Sequence, residues 1–216
     1  MKDIKTNNIV SMVLNSLIFG LTFGSILTYF LPGPHKAGNM DVSGTGNFIF
    51  FTNDSNILAA IASILTVPFN IKGIVSGKNE IPHWARVLKF VGTTAVTLTL
   101  TVVLLFLGII YGYPKMFEGV CLPLHLLCPL MAIISFCFFE GGEEISKKEL
   151  PLAVVPTLVY GVVYLACVIV FKVWQDFYAF NVGGFWYISF AVLTGVTCLL
   201  AFLLSLVASR NFLRQQ

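Results

Sequence analysis

Six stretches of this chain stay apolar for about 20 residues, the length a helix needs to cross a hydrocarbon core roughly 30 Å thick. They run 9–31, 48–71, 87–111, 119–139, 150–171 and 184–208 of 216 residues. The gaps between them are short and carry helix breakers: Pro32-Gly33-Pro34, Gly73 to Pro82, Gly112 to Pro114, Gly141-Gly142 and Gly183-Gly184. No stretch is long or polar enough for a second, soluble unit. The expected architecture is all-α: a polytopic integral membrane protein with six transmembrane helices, forming one domain over residues 1–216.

Charge supports this reading. Only 11% of the residues are charged, against about 25% in a soluble domain, which leaves too little polar surface to face water. Lys2 and Lys5 precede the first apolar run as in a signal peptide. That run is longer than the roughly 7–15 residues of a cleaved segment, and no A-x-A site follows it, so it is read as a retained helix. Of the 13 Lys and Arg, 10 fall on one side: Lys2, Lys5, Lys72, Lys78, Arg86, Lys89, Lys147, Lys148, Arg210 and Arg214. Lys36, Lys115 and Lys172 fall on the other. The positive-inside rule then puts both termini in the cytoplasm, and the compact loops suggest a bacterial cytoplasmic membrane. The net charge of +3 follows from this bias and implies no nucleic-acid partner; the expected partners are membrane lipids. Five single cysteines within apolar runs read as small packers rather than a disulfide framework.

Polar groups at membrane depth are costly, so their positions carry information. One cluster opens the second run: Thr52-Asn53-Asp54-Ser55-Asn56 after Phe50-Phe51. Capping of a helix N-terminus accounts for one or two such residues but poorly for five. Thr52, Ser55 and Asn56 share a helical face, and Asp54 points elsewhere. The second cluster is His125, with Cys121 and Cys128 on its face and Pro123 and Pro129 bracketing it. Each proline lacks an N–H and frees a carbonyl one turn back. The bland reading is a neutral histidine bonded between helices. Both clusters lie roughly 6–9 Å below the same end of their helices, at 1.5 Å per residue. The loop before the sixth run brings Trp174, Gln175, Asp176 and Tyr178 to that end. Thr52, Asp54, Asn56, His125, Asp176 and Tyr178 are therefore expected to converge on one pocket in the outer half. Glu140, Glu143, Glu144 and Glu149, among Lys147 and Lys148 at the opposite end, read as a solvated turn. Thr93, Thr97 and Thr101 read as packing residues bonded to the preceding turn.

A hydroxyl becomes a nucleophile when a base stands beside it, and histidine is the usual base. Thr52 and His125 would make an acyl-transfer pair, with Asn53 or Asn56 supporting an oxyanion. A thiol, Cys128 or Cys121, is a rival nucleophile on the histidine's own helix. Two readings from other classes use the same residues. In a transport or binding protein, Asp54, Asn56 and His125 would be solute ligands; in a scaffold, the polar groups would only hold helices together. No cofactor motif is present, and one His with one Asp falls short of a zinc ligand set.

Phe51-Thr52-Asn53-Asp54-Ser55-Asn56 together with Leu124-His125-Leu126-Leu127-Cys128-Pro129-Leu130 resembles the androgen-induced protein family. The similarity extends to Pro156, Tyr160 and the aromatic turn Phe177-Tyr178-Ala179-Phe180. It implies a six-helix membrane hydrolase of fatty acid esters of hydroxy fatty acids, with Thr52 and His125 in the catalytic roles. The family's turn reads Tyr-Pro-Phe, where this chain has Ala179. The spacing from His125 to Pro129 is one residue shorter than in the animal proteins, and Asp54-Ser55-Asn56 is like the bacterial branch. Asn53, Asp54, Ser55, Asn56, Cys128, Asp176 and Tyr178 are the expected supporting residues.

Overall fold

The structure is a computed structural model that describes residues 4–31, 36–37, 40–41 and 44–213. Lys2, Pro32 to His35 and Arg214 lie outside them. Among the described residues the fold is helical, apart from a two-residue antiparallel pairing of Lys36–Ala37 with Met40–Asp41. Helix α1 spans Ile4–Thr28, α2 Phe51–Ser76 and α3 His83–Tyr111. Helix α4 spans Pro123–Phe139, α5 Leu150–Val170 and α6 Trp186–Leu213. All but α4 are long and apolar enough to cross a membrane; α4 is apolar but shorter.

The helices pack up and down. Asn8 of α1 meets Asn70 of α2 at one end, and Tyr29, just past α1, meets Asn53 at the other. Ser55 of α2 likewise meets Thr99 of α3, and Ser63 meets Lys89. One end of the bundle gathers the α2–α3 and α4–α5 connections. The other gathers the segments before α2, between α3 and α4, and between α5 and α6.

Helix α1 is patterned inside out. Asn7, Asn8, Ser11, Asn15, Thr22 and Ser25 recur at helical spacing and are buried. Val13, Leu17, Phe23 and Leu27 on the opposite face are 47–53% exposed. A soluble helix does the reverse; polar groups turned to neighbours and apolar ones turned outward suit a lipid surround. Helices α2 and α3 cross closely, because a Cβ on Gly92 would lie 2.9 Å from Ala59 Cα. Of the three α3 threonines expected to bond one turn back, Thr97 reaches the Thr93 carbonyl at 2.6 Å and Thr101 that of Thr97 at 2.8 Å, whereas the Thr93 hydroxyl is buried without a partner.

The turn after α4 is a correction to the sequence reading. Glu140 is buried, not solvated, and so are Arg86 and Lys89. Glu140 Oε1 accepts from Ser135 at 2.7 Å and Asn15 at 3.1 Å. Lys89 Nζ lies 3.8 Å from it and donates to Asn15 and Ser63 at 2.5 Å each. Arg86 donates to the carbonyls of Glu140 and Gly141 at 2.8 and 3.0 Å. The irregular backbone that follows α4 at Phe139 is buried at Glu140, and Arg86 satisfies its carbonyls, as buried backbone requires.

Candidate active site

Helix α4 opens with a π-helical turn, Pro123–Leu127. The Cys128 N–H bonds the Pro123 carbonyl, five residues back, rather than that of Leu124. The next candidate donor in this wider register is Pro129, which has no N–H. The Leu124 carbonyl is thus orphaned inside the bundle. Asn56 supplies the missing donor at 2.9 Å, while also donating to the Thr52 carbonyl at 2.7 Å. One amide therefore ties the residue before His125 to Thr52.

Thr52 is the second residue of α2, at the positive end of that helix's dipole. Its Oγ1 lies 3.5 Å from Nε2 of His125. The other ring nitrogen, Nδ1, lies 2.7 Å from the Met116 carbonyl. A carbonyl only accepts, so Nδ1 carries the hydrogen. In the neutral ring Nε2 is then the acceptor, and its lone pair faces the hydroxyl. The separation is at the outer limit of a hydrogen bond, which is common before substrate draws such groups together. His125 is buried and Thr52 half-buried.

Two cavities meet at Thr52. One is a narrow apolar slot of about 60 Å³ between α3, α5 and α6, lined by Leu98, Val102, Tyr160, Gly161 and Phe190. The other is a wider bowl of about 380 Å³ lined by Tyr29, Lys115, Cys121, His125 and Asp176. Thr52, Leu107 and Tyr178 line both. A molecule with its reacting bond at Thr52 would place one part among hydrocarbon side chains and the other in a mixed lining, where Phe50, Met116 and Phe177 stand beside the polar groups.

The structure brings together Thr52, Asn53, His125, Asp176 and Tyr178 and leaves four expected residues outside. Asp54 is exposed on the far side of α2. Ser55 is buried against Thr99 at 2.9 Å. Asn56 serves the two carbonyls rather than the cavity. Cys128 faces α1, where its Sγ lies 3.6 Å from Thr22 Oγ1 and 3.9 Å from the Ile18 carbonyl. The π turn rotates it away from His125, so the two do not share a face. Asp176 does not touch His125: Oδ1 accepts from Tyr164 at 2.8 Å and from the Phe180 N–H at 2.9 Å, and Oδ2 from the Asn181 N–H at 2.9 Å. It folds the loop that presents Tyr178. Within that loop Ala179 has φ 54°, far from the −65° or so of proline, so the Tyr-Pro-Phe turn of the resembled family cannot take this shape.

Sequence reading missed Tyr29, Lys115 and the Met116 carbonyl. The depth reasoning applied to Thr52 reaches Tyr29 and Lys115 as well. A backbone carbonyl that fixes a tautomer leaves no sequence signal. No cluster of three or more His, Cys, Asp or Glu able to hold a metal occurs among the described residues.

Fold and site together define a class: an all-helical protein, compatible with an integral membrane protein, holding a hydroxyl–imidazole pair at one end of its bundle. No protein-family model matches the chain, and no curated protein or solved structure is significantly similar to it.

Proposed function

We propose that the chain is an intramembrane hydrolase of lipid esters, with Thr52 as nucleophile and His125 as base. The fatty acid ester of hydroxy fatty acid type is the substrate class that the resemblance to the androgen-induced protein family favours. The observation that carries the reading is the 3.5 Å approach of Thr52 Oγ1 to His125 Nε2, with Nδ1 fixed on the Met116 carbonyl. The topology proposed with it is six crossings, with both termini cytoplasmic in a bacterial cytoplasmic membrane. At 1.5 Å per residue the 17-residue α4 spans only about 25 Å. The buried Glu140 turn supports a full crossing by continuing the path inside protein.

Thr52 Oγ1 attacks the ester carbonyl carbon while its proton passes to His125 Nε2, and the carbonyl electron pair moves onto oxygen. Collapse re-forms the carbonyl and breaks the bond to the alcohol oxygen, which leaves with the proton from Nε2. Water then attacks the acyl-Thr52 ester, giving its proton to Nε2. The Thr52 oxygen departs with that proton, and a free carboxylic acid is released. The positive end of α2 favours the negative charge that passes through this site.

The thiol alternative loses Cys128, which faces α1, and rests on Cys121, which lines the wider cavity with His125. The solute-ligand reading loses Asp54, which is on the exposed side. The test is hydrolysis of a panel of long-chain esters by purified protein in lipid nanodiscs. Thr52→Ala and His125→Ala should each lose activity by at least about 100-fold, the scale of general-base catalysis. Full activity in both would sink the hydrolase reading.

A further inference from the structure

Attack by Thr52 puts a full negative charge on the former carbonyl oxygen, and that oxygen needs a donor. The asparagines expected to supply it are committed elsewhere. Asn56 spends both amide hydrogens on the carbonyls of Thr52 and Leu124. Asn53 is tied at both ends: its amide donates to the Asn47 carbonyl at 2.6 Å, and its oxygen accepts from Tyr29 at 3.2 Å. Turning toward Thr52 would break both bonds.

Tyr178 stands where the donor is missing. It is buried, and it lines both cavities beside Thr52. Its hydroxyl oxygen accepts the Phe51 N–H at 3.1 Å and interacts with Thr52 through backbone and side chain. Tyr160 gives its one hydroxyl hydrogen to the Ile49 carbonyl at 2.7 Å, so in its hydrogen bond with Tyr178 the Tyr178 O–H is the donor, and it turns from Tyr160 to serve an oxyanion. Burial pushes the hydroxyl up to about 12, against its hydrogen bonds with Tyr160, Phe51 and Thr52, so the phenol keeps its proton throughout the neutral range.

The ring is held in place. The Tyr178 N–H donates to Tyr164 Oη at 3.1 Å, and Tyr164 in turn donates to Asp176. The Tyr178 ring packs 5.1 Å from Phe180 and 4.7 Å from Phe177. Ala179 and Val182, at φ 54° and 43°, hold backbone angles that L-residues rarely adopt. Such strain persists only where surrounding contacts over-determine a loop.

We propose that Tyr178 donates its phenolic O–H to the oxyanion formed when Thr52 attacks, making the α5–α6 loop a catalytic element. This rests on the Thr52/His125 reading. The proton stays on Tyr178: the hydrogen bond tightens as charge builds on the carbonyl oxygen and relaxes on collapse, and no covalent bond to the ring forms or breaks.

The competing account is that Tyr178 merely caps the first turn of α2. Tyr178→Phe keeps the ring and removes only the hydroxyl. It is compared with parent for ester turnover, and for binding of a trifluoroketone, which forms an oxyanion on attack by Thr52, and of the matching ether, which forms none. The expected result is a kcat lower by about 100- to 1,000-fold, trifluoroketone affinity falling by a similar factor, and ether affinity unchanged. A kcat within threefold of parent, or trifluoroketone and ether affinities falling together, overturns the assignment. If Tyr178→Phe fails to fold, 3,5-difluorotyrosine at the same position keeps the cap but sharpens the donor. A capping role predicts unchanged turnover at pH 6, and oxyanion donation predicts a change. Should Thr52→Ala and His125→Ala abolish turnover while Tyr178→Phe does not, only this assignment fails. Should none of the three matter, the hydrolase reading fails with it.

Discussion

Asn56 reaches from α2 to the Leu124 carbonyl of α4 at 2.9 Å, and so braces the π turn that presents His125. Without that donor the carbonyl is buried and unpaired, at a cost of about 1–3 kcal/mol. Asn56→Leu should therefore lower thermal stability by that amount. It should also cut ester turnover more than Ser55→Ala does, although neither side chain enters the cavity. Equal turnover in the two variants would remove Asn56 from any positioning role.

Lys89 and Glu140 are both buried and 3.8 Å apart. Removing one partner strands a charge, which costs about 3–5 kcal/mol, whereas replacing both with apolar residues is often neutral. Lys89→Met and Glu140→Leu should each melt much earlier than parent in the same detergent, and the double variant should recover most of the loss. Additive losses in the double variant would show that the pair is not coupled.

Gly92 is required by the α2–α3 crossing, since a Cβ there would stand 2.9 Å from the Ala59 backbone, which has no flexible end to move aside. Gly92→Val should destabilise by about 1–3 kcal/mol, the scale of overpacking. Gly195→Val, with open space around its Cβ position, is the control and should melt with parent.

Tyr178 gives a pH signature. Its hydroxyl is raised by burial from 10.0 to about 12. The fold therefore favours the neutral phenol. The stability that results is fully present below pH 10 and lost as pH rises toward 12. Melting temperature followed from pH 9 to 12 should fall less steeply in Tyr178→Phe than in parent. Parallel curves would mean that the phenol ionises as freely in the fold as in water.

Much of the helical layout was legible because lipid imposes long apolar runs, and those runs predict α1, α2, α3, α5 and α6 to within several residues at each end. The hydrogen-bond register of α4 was not legible, because Pro123 and Pro129 change it without ending the helix. That same change swings Cys128 away from His125. The inner charges were misread for another reason. Arg86, Lys89 and Glu140 sit near helix ends, where charge ordinarily faces water, and nothing local reveals that Asn15 and Ser63 wait to receive Lys89. The polar spacing of Asn8, Ser11 and Asn15 in α1 was the available signal. Thr52 and His125 were readable from polarity and depth, whereas Met116 acts through a backbone carbonyl that any residue would provide.

The most direct measurement is the intact mass of the protein, with peptide mapping, after treatment with a lipophilic fluorophosphonate. A hydroxyl activated by His125 should take up one phosphonyl group on Thr52, lost in Thr52→Ala and slowed by at least about 100-fold in His125→Ala. Labelling that persists in Thr52→Ala, or that maps to Cys121 or another residue, would contradict the assignment of Thr52 as the nucleophile.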